Sequence, residues 1–526
     1  MVTVTERGYF HWIDWLVFAL MLFVSAVAGL WHFRRAQKSN TQDYLLGGRS
    51  LGLFPVSASL VASFISGVTI LGTPTEIYNF GTQYWITIIS IFFSGVVVAT
   101  VYLPVFTNLQ LNSVYEYLEI RFDRSVRTLI SLIFVFDAIL YQSIVIYVPA
   151  LALNQVSGIN IHLIGSIVCV VCVFYTVLGG IRAVVWTDAL QVGVMIAAAI
   201  SVTALGTYEM GGMSEIWNKA VDAGRIEFLN FDPSPYTRHT FWTVLIGSWV
   251  YCTAYIAVNQ TMVQRYKSLD STKKSQFSLS VGFNSTSVVI LEDFVMGCFK
   301  MKPSERWSNI FVKSLILLFG LLALSFLFLI EKLGGVLAVT NSLAAIAAGT
   351  SFGVFTLGIL FPWANSKGAF IGAVAGFLIA GWVSFGANAA IGSGLVVPKK
   401  LPVPPCAGDN NHDFVKQFEQ SSEDNVFPLY RLSYHWVAPL GTLVVLVIGG
   451  LVTWITGARD PSTIDKNLLS PVIHRWLPPQ KYQNDVNGLC MSVSTDPQIS
   501  ANLISAIDQK SHPNVFPQKE ETFTNI

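Results

Sequence analysis

Charge is the first thing this sequence lacks. Asp, Glu, Lys and Arg make up 12% of its 526 residues, about half of the ~25% usual in soluble domains. So few charges cannot clothe a large water-exposed surface, which excludes a soluble globular protein. The charges balance to a net +1, and without a basic stripe the chain carries no footprint for nucleic acid. Cysteine is also scarce, six in all, and implies no disulfide framework. Cys169 and Cys172 have CxxC spacing but sit inside an apolar run, where packing rather than redox or zinc chemistry is expected. Cys252 and Cys298 also fall in apolar runs, and Cys406 lies in a polar loop. The sequons at Asn259-Gln-Thr and Asn284-Ser-Thr fall in apolar runs as well and are discounted as glycosylation sites. No nucleophile, base and metal constellation is present, so an enzyme is not expected.

What the chain has in abundance is apolar sequence, 53% of its residues with a mean hydropathy of +0.56. It is concentrated in runs of about 20 residues, long enough to cross a bilayer. They lie near 11–33, 53–73, 84–106, 128–153, 160–180, 183–206, 240–260, 277–299, 311–330, 336–361, 369–391 and 436–457. The first is too long for a secretory leader and has no small-residue cleavage site, so a true span is expected. Long polar loops occupy 207–239 and 388–435, and the tail beyond Arg459 is polar and expected to have little order. The organisation expected is a short N-terminus (1–10), a membrane domain (11–457) and a tail (458–526).

Lys and Arg in the short loops set the orientation. Arg34, Arg35, Lys38 and Arg49 follow the first run, Arg121, Arg124 and Arg127 the third, and Arg182 the fifth, whereas Thr73–Tyr84 and Asn154–Leu163 have no basic residue. The N-terminus is therefore expected outside and the tail in the cytoplasm. The pattern breaks at 277–299, which has Lys273 and Lys274 before it and Lys300, Lys302 and Arg306 after it. One crossing cannot satisfy both flanks. Either this segment re-enters, or residues are missing between Lys274 and Phe277.

The most informative stretch runs from Ser57 to Tyr78. It is apolar enough for a membrane yet crowded with Gly, Ser and Thr, with a Pro at position 74. Such a helix can unwind midway, and free carbonyls in lipid are tolerated only where they line a cavity or bind something. Interrupted helices place ion and substrate sites in secondary transporters; a helix-packing surface is the other reading. Acidic residues inside apolar runs are costly and usually functional. Asp188, near one end of its run, reads as functional. Asp137, in mid-run, reads equally as a pair or hydrogen bond to a neighbouring helix. Glu292 and Asp293 are expected at the interface, and Lys313 can snorkel.

Together these strings resemble the sodium/solute symporters, and most of all the branch carrying monocarboxylates, iodide and water-soluble vitamins. The resemblance rests on Asp43-Tyr-Leu-Leu-Gly-Gly-Arg49, Ser59-Leu-Val-Ala-Ser-Phe-Ile-Ser66, Leu71-Gly-Thr-Pro-Thr-Glu-Ile-Tyr78 and Tyr117-Leu-Glu-Ile-Arg-Phe122. It continues through Tyr175 to Asp188, Asp232-Pro-Ser-Pro235, Arg238-His-Thr-Phe-Trp242, Asn259-Gln-Thr-Met-Val-Gln-Arg-Tyr266 and Leu357-Gly-Ile-Leu-Phe-Pro362. It covers about residues 10–460, and the multivitamin-transporter-like proteins of insects look most alike. The resemblance implies an all-α polytopic membrane protein with the LeuT-type five-plus-five inverted repeat. In that scheme 53–73 opens the first repeat and 240–260 the second, both broken near the midplane with substrate between them.

The resemblance also implies sodium as the coupling ion, with no organic cofactor. Its ligands would be the carbonyls of Ala62 and Ile65 and the hydroxyl of Ser278, with Asp188 tied to a further cation site. Substrate contacts would come from Phe64, Ser66, Thr69, Tyr255, Asn259 and Gln260; Phe64 and Thr69 stand where the sugar-carrying branch has an amide and a histidine, which argues against a sugar. The expected function is import of a small organic anion across the plasma membrane by alternating access. One departure stands out. The family has a whole helix, an outer loop and the start of the next helix between Lys274 and Phe277, and an aromatic ring at Phe277 replaces a hydroxyl. A shortened, non-transporting form is therefore the alternative. The last residues, Thr524-Asn-Ile526, have the form of a carboxylate ligand for a PDZ-type domain.

Overall fold

A backbone in hydrocarbon must satisfy its own hydrogen bonds, so apolar runs of this length become helices. The computed structural model describes residues 10–36, 52–64, 67–109, 111, 113–266, 305–330, 336–401 and 426–479, and among them there is no strand. The helices are α1 (Trp12–Ala36), α2 (Leu53–Phe64), α3 (Gly67–Phe80), α4 (Thr82–Asn108), α5 (Glu116–Arg121), α6 (Arg124–Ser157) and α7 (Ile161–Glu209). After them come α8 (Met213–Asp222), α9 (Phe241–Val258), α10 (Gln260–Tyr266), α11 (Glu305–Ile330), α12 (Val336–Leu360), α13 (Ser366–Gly392) and α14 (Val437–Thr456). Among the described residues six helices are long and apolar enough to cross a membrane. The run at 277–299 lies outside the described residues.

Local chemistry sets the helix ends. The Asp123 carboxylate accepts from Val126 N (2.9 Å) to start α6, and Gly158 closes that helix in the left-handed region (φ 70°). Asn160 caps α7 through His162 N (2.8 Å). Thr240 and Thr243 cap α9 reciprocally, each side-chain oxygen accepting the other's backbone N–H (3.1 and 2.7 Å). α7 joins the two apolar runs 160–180 and 183–206 with no loop. They meet at Gly180, whose φ 57°, ψ −156° is a conformation open essentially to glycine alone. Within α4, Val98–Tyr102 is wound as a π-helix, a form often found at functional positions. Residues 207–239 are more than the loop the sequence suggests: α7 continues to Glu209, and α8 follows as a short helix.

α12, α13 and α14 form one packed group, and α9 packs on α4 and α12. α7 packs on α1 and α2, while α11 lies against α6 and α7. Small residues let these backbones approach. Ser90 and Ser94 of α4 donate to the carbonyls of Leu245 (3.0 Å) and Trp249 (3.1 Å) on α9, and Thr253 donates to Ser94 (3.0 Å). On α13, a Cβ at Gly372 would lie 2.9 Å from Val445 O and 3.0 Å from Gly449 Cα of α14. Gly372→Ala is therefore expected to destabilise by about 1–3 kcal/mol through overpacking, read as a fall in melting temperature of the detergent-solubilised protein. An unchanged melt would show that α13 and α14 can part at no cost.

Arg121 overturns a simpler expectation. The sequence places it among the free loop cations, but its side chain is fully buried. Nε donates to Gly358 O (2.9 Å), Nη1 to Ala364 O (3.3 Å), and Nη2 to Phe361 O (3.0 Å) and Pro362 O (3.3 Å). Gly358 lies in the last turn of α12 and the other three residues follow it around Pro362, so one guanidinium gathers carbonyls at and just past the negative end of the helix dipole. Nearby, Tyr117 Oη donates to Leu468 O (3.0 Å) and Ser470 N to Ile359 O (3.1 Å). The described part of the tail, 458–479, thus holds 3₁₀ turns and hydrogen bonds where little order was expected.

The coordinates divide into two units, with described residues 10–459 and 466–474 in one and 460–465 and 475–479 in the other. In the smaller unit, the Asp460 carboxylate caps a 3₁₀ turn by accepting from Ser462 N (3.0 Å) and Ser462 Oγ (2.8 Å).

Candidate functional site

One described interruption helps to position the site. The run 53–73 carries α2 and α3, and residues 65–66 between them lie outside the described residues. The run 240–260 is divided at Asn259, whose backbone is extended (φ −79°, ψ 127°) between α9 and α10. Asn259 Oδ1 accepts from Thr261 N (2.9 Å), so the side chain that ends one helix caps the next.

Beside the break at Asn259 lies a cavity of about 430 Å³, walled by residues of α2, α6, α7, α9, α11 and α12 among others. Its lining brings together four of the residues expected from sequence: Ala62, Asp188, Tyr255 and Asn259. Asp188 Oδ2 accepts a hydrogen bond from Ser59 Oγ (2.7 Å), which ties α2 to the second half of α7. Two expected residues lie elsewhere. Thr69 is exposed on α3 and is not part of the lining, and Gln260 is fully buried with its Oε1 accepting from Val114 N (2.7 Å). Gln260 thus holds α10 to the turn before α5. Phe64 ends α2, and its side chain is outside the description; Ile65, Ser66 and Ser278 lie outside the described residues.

Residues the sequence did not nominate share the lining, among them Tyr141, Gln142 and Tyr251. A signal for them existed. Asp137 with Tyr141, and Tyr251 with Tyr255, are i, i+4 pairs, each sharing a helix face. Tyr251 and Tyr255 are stacked, with centroids 6.2 Å apart and planes at 15°. Cys169 and Cys172 also face this space; Cys169 Sγ lies 3.6 Å from Gly320 O of α11, consistent with packing. The electrostatics are one-sided: Asp137 and Asp188 line the cavity, and among the described residues no Lys, Arg or His does. An anion can enter such a space only if cations enter with it, because a buried charge needs a partner.

A second cluster joins α3 to the segment that leads into α9. Glu76 lies three residues beyond the run 53–73 and makes a two-pronged pair with Arg238, just ahead of α9 (Nε–Oε1 2.7 Å, Nη2–Oε2 3.1 Å). The guanidinium lies over the rings of Phe80 (4.1 Å) and Tyr434 (4.8 Å), and His239 Nε2 is 3.1 Å from Glu76 Oε1. Burial alone would raise the Glu76 carboxyl, but the adjacent His239 and the hydrogen-bonded Arg238 guanidinium outweigh it and hold its pKa at about 2. Burial also pushes His239 below the usual histidine range, with Glu76 opposing, so His239 is neutral at neutral pH. Sequence spacing could not have paired Glu76 with Arg238, which stand 162 positions apart.

Comparison with known proteins agrees with this architecture. The family model described as Sodium:solute symporter family matches residues 44–282. Sodium-coupled monocarboxylate transporter 1 of Mus musculus is 34% identical over an alignment covering 88% of this chain and 90% of that protein. The sodium-dependent multivitamin transporter of Oryctolagus cuniculus is 31% identical, covering 89% and 86%. Among solved structures, a substrate-bound outward-open state of a Na+-coupled sialic acid symporter superposes with a TM-score of 0.69 at 20% identity, over 86% of this chain and 100% of that one. That likeness shows the fold, the LeuT-type arrangement. The alignment with the mouse protein extends over 561 positions, more than the 526 residues of this chain, so it passes over residues that this chain does not have. With a third of its residues shared across most of both chains, this protein belongs to the sodium:solute symporter family, whose members are sodium-coupled transporters and not enzymes.

Proposed function

We propose that this chain imports a small organic anion, a water-soluble vitamin such as biotin or pantothenate or a monocarboxylate, together with sodium, by alternating access at the plasma membrane. The observation that carries the reading is the cavity beside the helix break at Asn259, lined by two carboxylates and no described cationic side chain. Sodium supplies the positive charge that an anion needs there. Ala62 and Ile65 carbonyls and the Ser278 hydroxyl hold it, and Asp188, oriented by Ser59 (2.7 Å), serves a further cation site. Tyr255 and Asn259, with Phe64 and Ser66, shape the solute path. Sodium binding favours the outward-facing state and so raises solute affinity, a reciprocal coupling. The N-terminus faces outside, the tail faces the cytoplasm, and Thr524–Ile526, outside the described residues, offers a PDZ-type carboxylate ligand. Uptake of biotin, pantothenate and lactate in sodium against choline medium tests the reading; uptake indifferent to the exchange would sink it.

Asp188→Asn keeps the shape and the acceptor for Ser59 but removes a charge. The sodium concentration for half-maximal uptake is expected to rise about tenfold, the ~1.4 kcal/mol of one weakened ionic ligand. Unchanged sodium dependence would remove Asp188 from the cation path.

A second reading rests on the charge pattern, which breaks around 277–299, where the family resemblance implies residues missing between Lys274 and Phe277. In that reading this chain is a shortened form without transport. Sequencing the message across Lys274–Phe277 separates the two: a dominant longer message makes this chain a minor form, and a short message alone directs the search to a binding or regulatory role.

A further inference from the structure

Asp137 has no use in the coupling scheme above, yet it sits in the cavity wall at the middle of α6. Its Oδ1 is sealed from solvent and has no hydrogen-bond partner among the described residues. A sequence reading allows a helix-to-helix pair for this carboxylate, but for Oδ1 the described residues supply none. A buried acceptor without a donor is expensive, and native proteins keep one only where something else completes it. Around it are groups that orient a ligand rather than neutralise the acid. Tyr141 stands one turn along the same face, and Tyr251, stacked on Tyr255, lies within electrostatic reach of both Asp137 and Tyr141. Gln142 adds a further polar group to the lining.

We infer that Asp137 is a specificity-determining residue that accepts a hydrogen bond from an N–H or O–H group of the transported solute. The inference rests on the proposed symport of a small organic anion and narrows its substrate class. The solute would carry a carboxylate for the sodium-bearing part of the cavity and, away from it, a donor group for Asp137. Ureido, amide and hydroxyl groups meet the requirement, and an ammonium meets it with added attraction from the tyrosine faces. A plain alkyl carboxylate does not, because it would leave the Asp137 oxygen unpaired and bring a second negative charge or an apolar chain against it. Sites built to receive a donor reject analogues that lack it far more strongly than apolar pockets reject a missing methylene.

The test is ligand-induced thermal stabilisation of the purified full chain, wild type against Asp137→Ala and Asp137→Asn, in sodium and in choline buffer. The probes are biotin and pantothenate, which bear donors, and hexanoate and 5-cyclohexylpentanoate, which bear none beyond the carboxyl group. Wild type is expected to bind the donor-bearing pair at least about tenfold more tightly. D137A brings the two classes within about twofold, and D137N, which keeps an acceptor oxygen, falls between them. The unliganded D137A protein is expected to melt no lower than wild type, since an unpaired buried acceptor has been removed; a lower melt would mark Asp137 as a structural pair and overturn the inference. Equal binding of the two classes by wild type, discrimination that survives in D137A, or binding of neither class would overturn it as well. Asp137-dependent discrimination that persists in choline would uphold this assignment while sinking the sodium-coupled reading. Sodium-dependent binding indifferent to Asp137 would do the reverse.

Discussion

Replacing Arg121 by alanine is expected to destabilise the protein more than any other substitution considered, by on the order of 4 kcal/mol. The arginine is fully buried and gives four hydrogen bonds to carbonyls at and just past the end of α12. Bonds from charged donors contribute about 1.5–3 kcal/mol each before sharing, and truncation also leaves buried carbonyls unpaired. Arg121→Lys is the sharper test. Lysine keeps the charge, but its single ammonium cannot meet carbonyls at Gly358, Phe361, Pro362 and Ala364 together, and the planar fork is lost. R121K should recover less than half of the deficit in melting temperature. A lysine variant that melts with wild type would mean that Arg121 acts as a point charge on the helix dipole and nothing more.

The second large effect is expected at the Glu76–Arg238 pair. Glu76→Gln leaves a guanidinium held between two aromatic rings without its counter-ion, at a cost of on the order of 3 kcal/mol, the scale set by a carboxyl held at about 2 instead of its usual value near 4.5. The sign follows from linkage. A depressed carboxyl stabilises the fold fully above about pH 4.5 and loses that contribution as pH falls toward 2. His239, held neutral by burial, acts in the same direction from higher pH, because the unfolded chain takes up the histidine proton first. Wild type should therefore lose stability on acidification in two stages. E76Q should keep the histidine stage and lack the carboxyl stage. Denaturation between pH 7 and pH 3 reads this directly, and an unaltered lower stage in E76Q would refute the assignment. The pair joins α3 to the segment that starts α9, so E76Q is also the variant in which those two segments are least tied together.

Much of the fold was legible because hydrocarbon leaves the backbone few choices. The runs at 128–153 and 369–391 became α6 and α13 with modest changes at their ends. The family pattern implied a break near the middle of 240–260, but it falls at Asn259, close to the end of that run, and the join between 160–180 and 183–206 fell at Gly180. What stayed hidden was whatever depends on partners far away in sequence. Arg121 looked like a loop cation because nothing local reveals the four carbonyls it serves more than 230 positions later. Gln260 looked like a cavity residue because it follows Asn259, yet its acceptor is used by Val114 N. α8 was missed because Met213, Ile216, Trp217 and Val221 make too short a stripe to stand out in a polar segment. The cavity itself was legible in part: Ala62, Asp188, Tyr255 and Asn259 converge, while the tyrosine flank of Asp137 emerged only once α6 and α9 were side by side.

The joint at Gly180 has a mechanical consequence. A loop between two spans has slack and absorbs their relative motion, but here a single residue connects the half of α7 that bears Cys172 to the half that bears Asp188. The two halves therefore meet at one joint: any change of angle between them is confined to Gly180, and it moves the carboxylate eight residues past it relative to the cavity wall that bears Cys172.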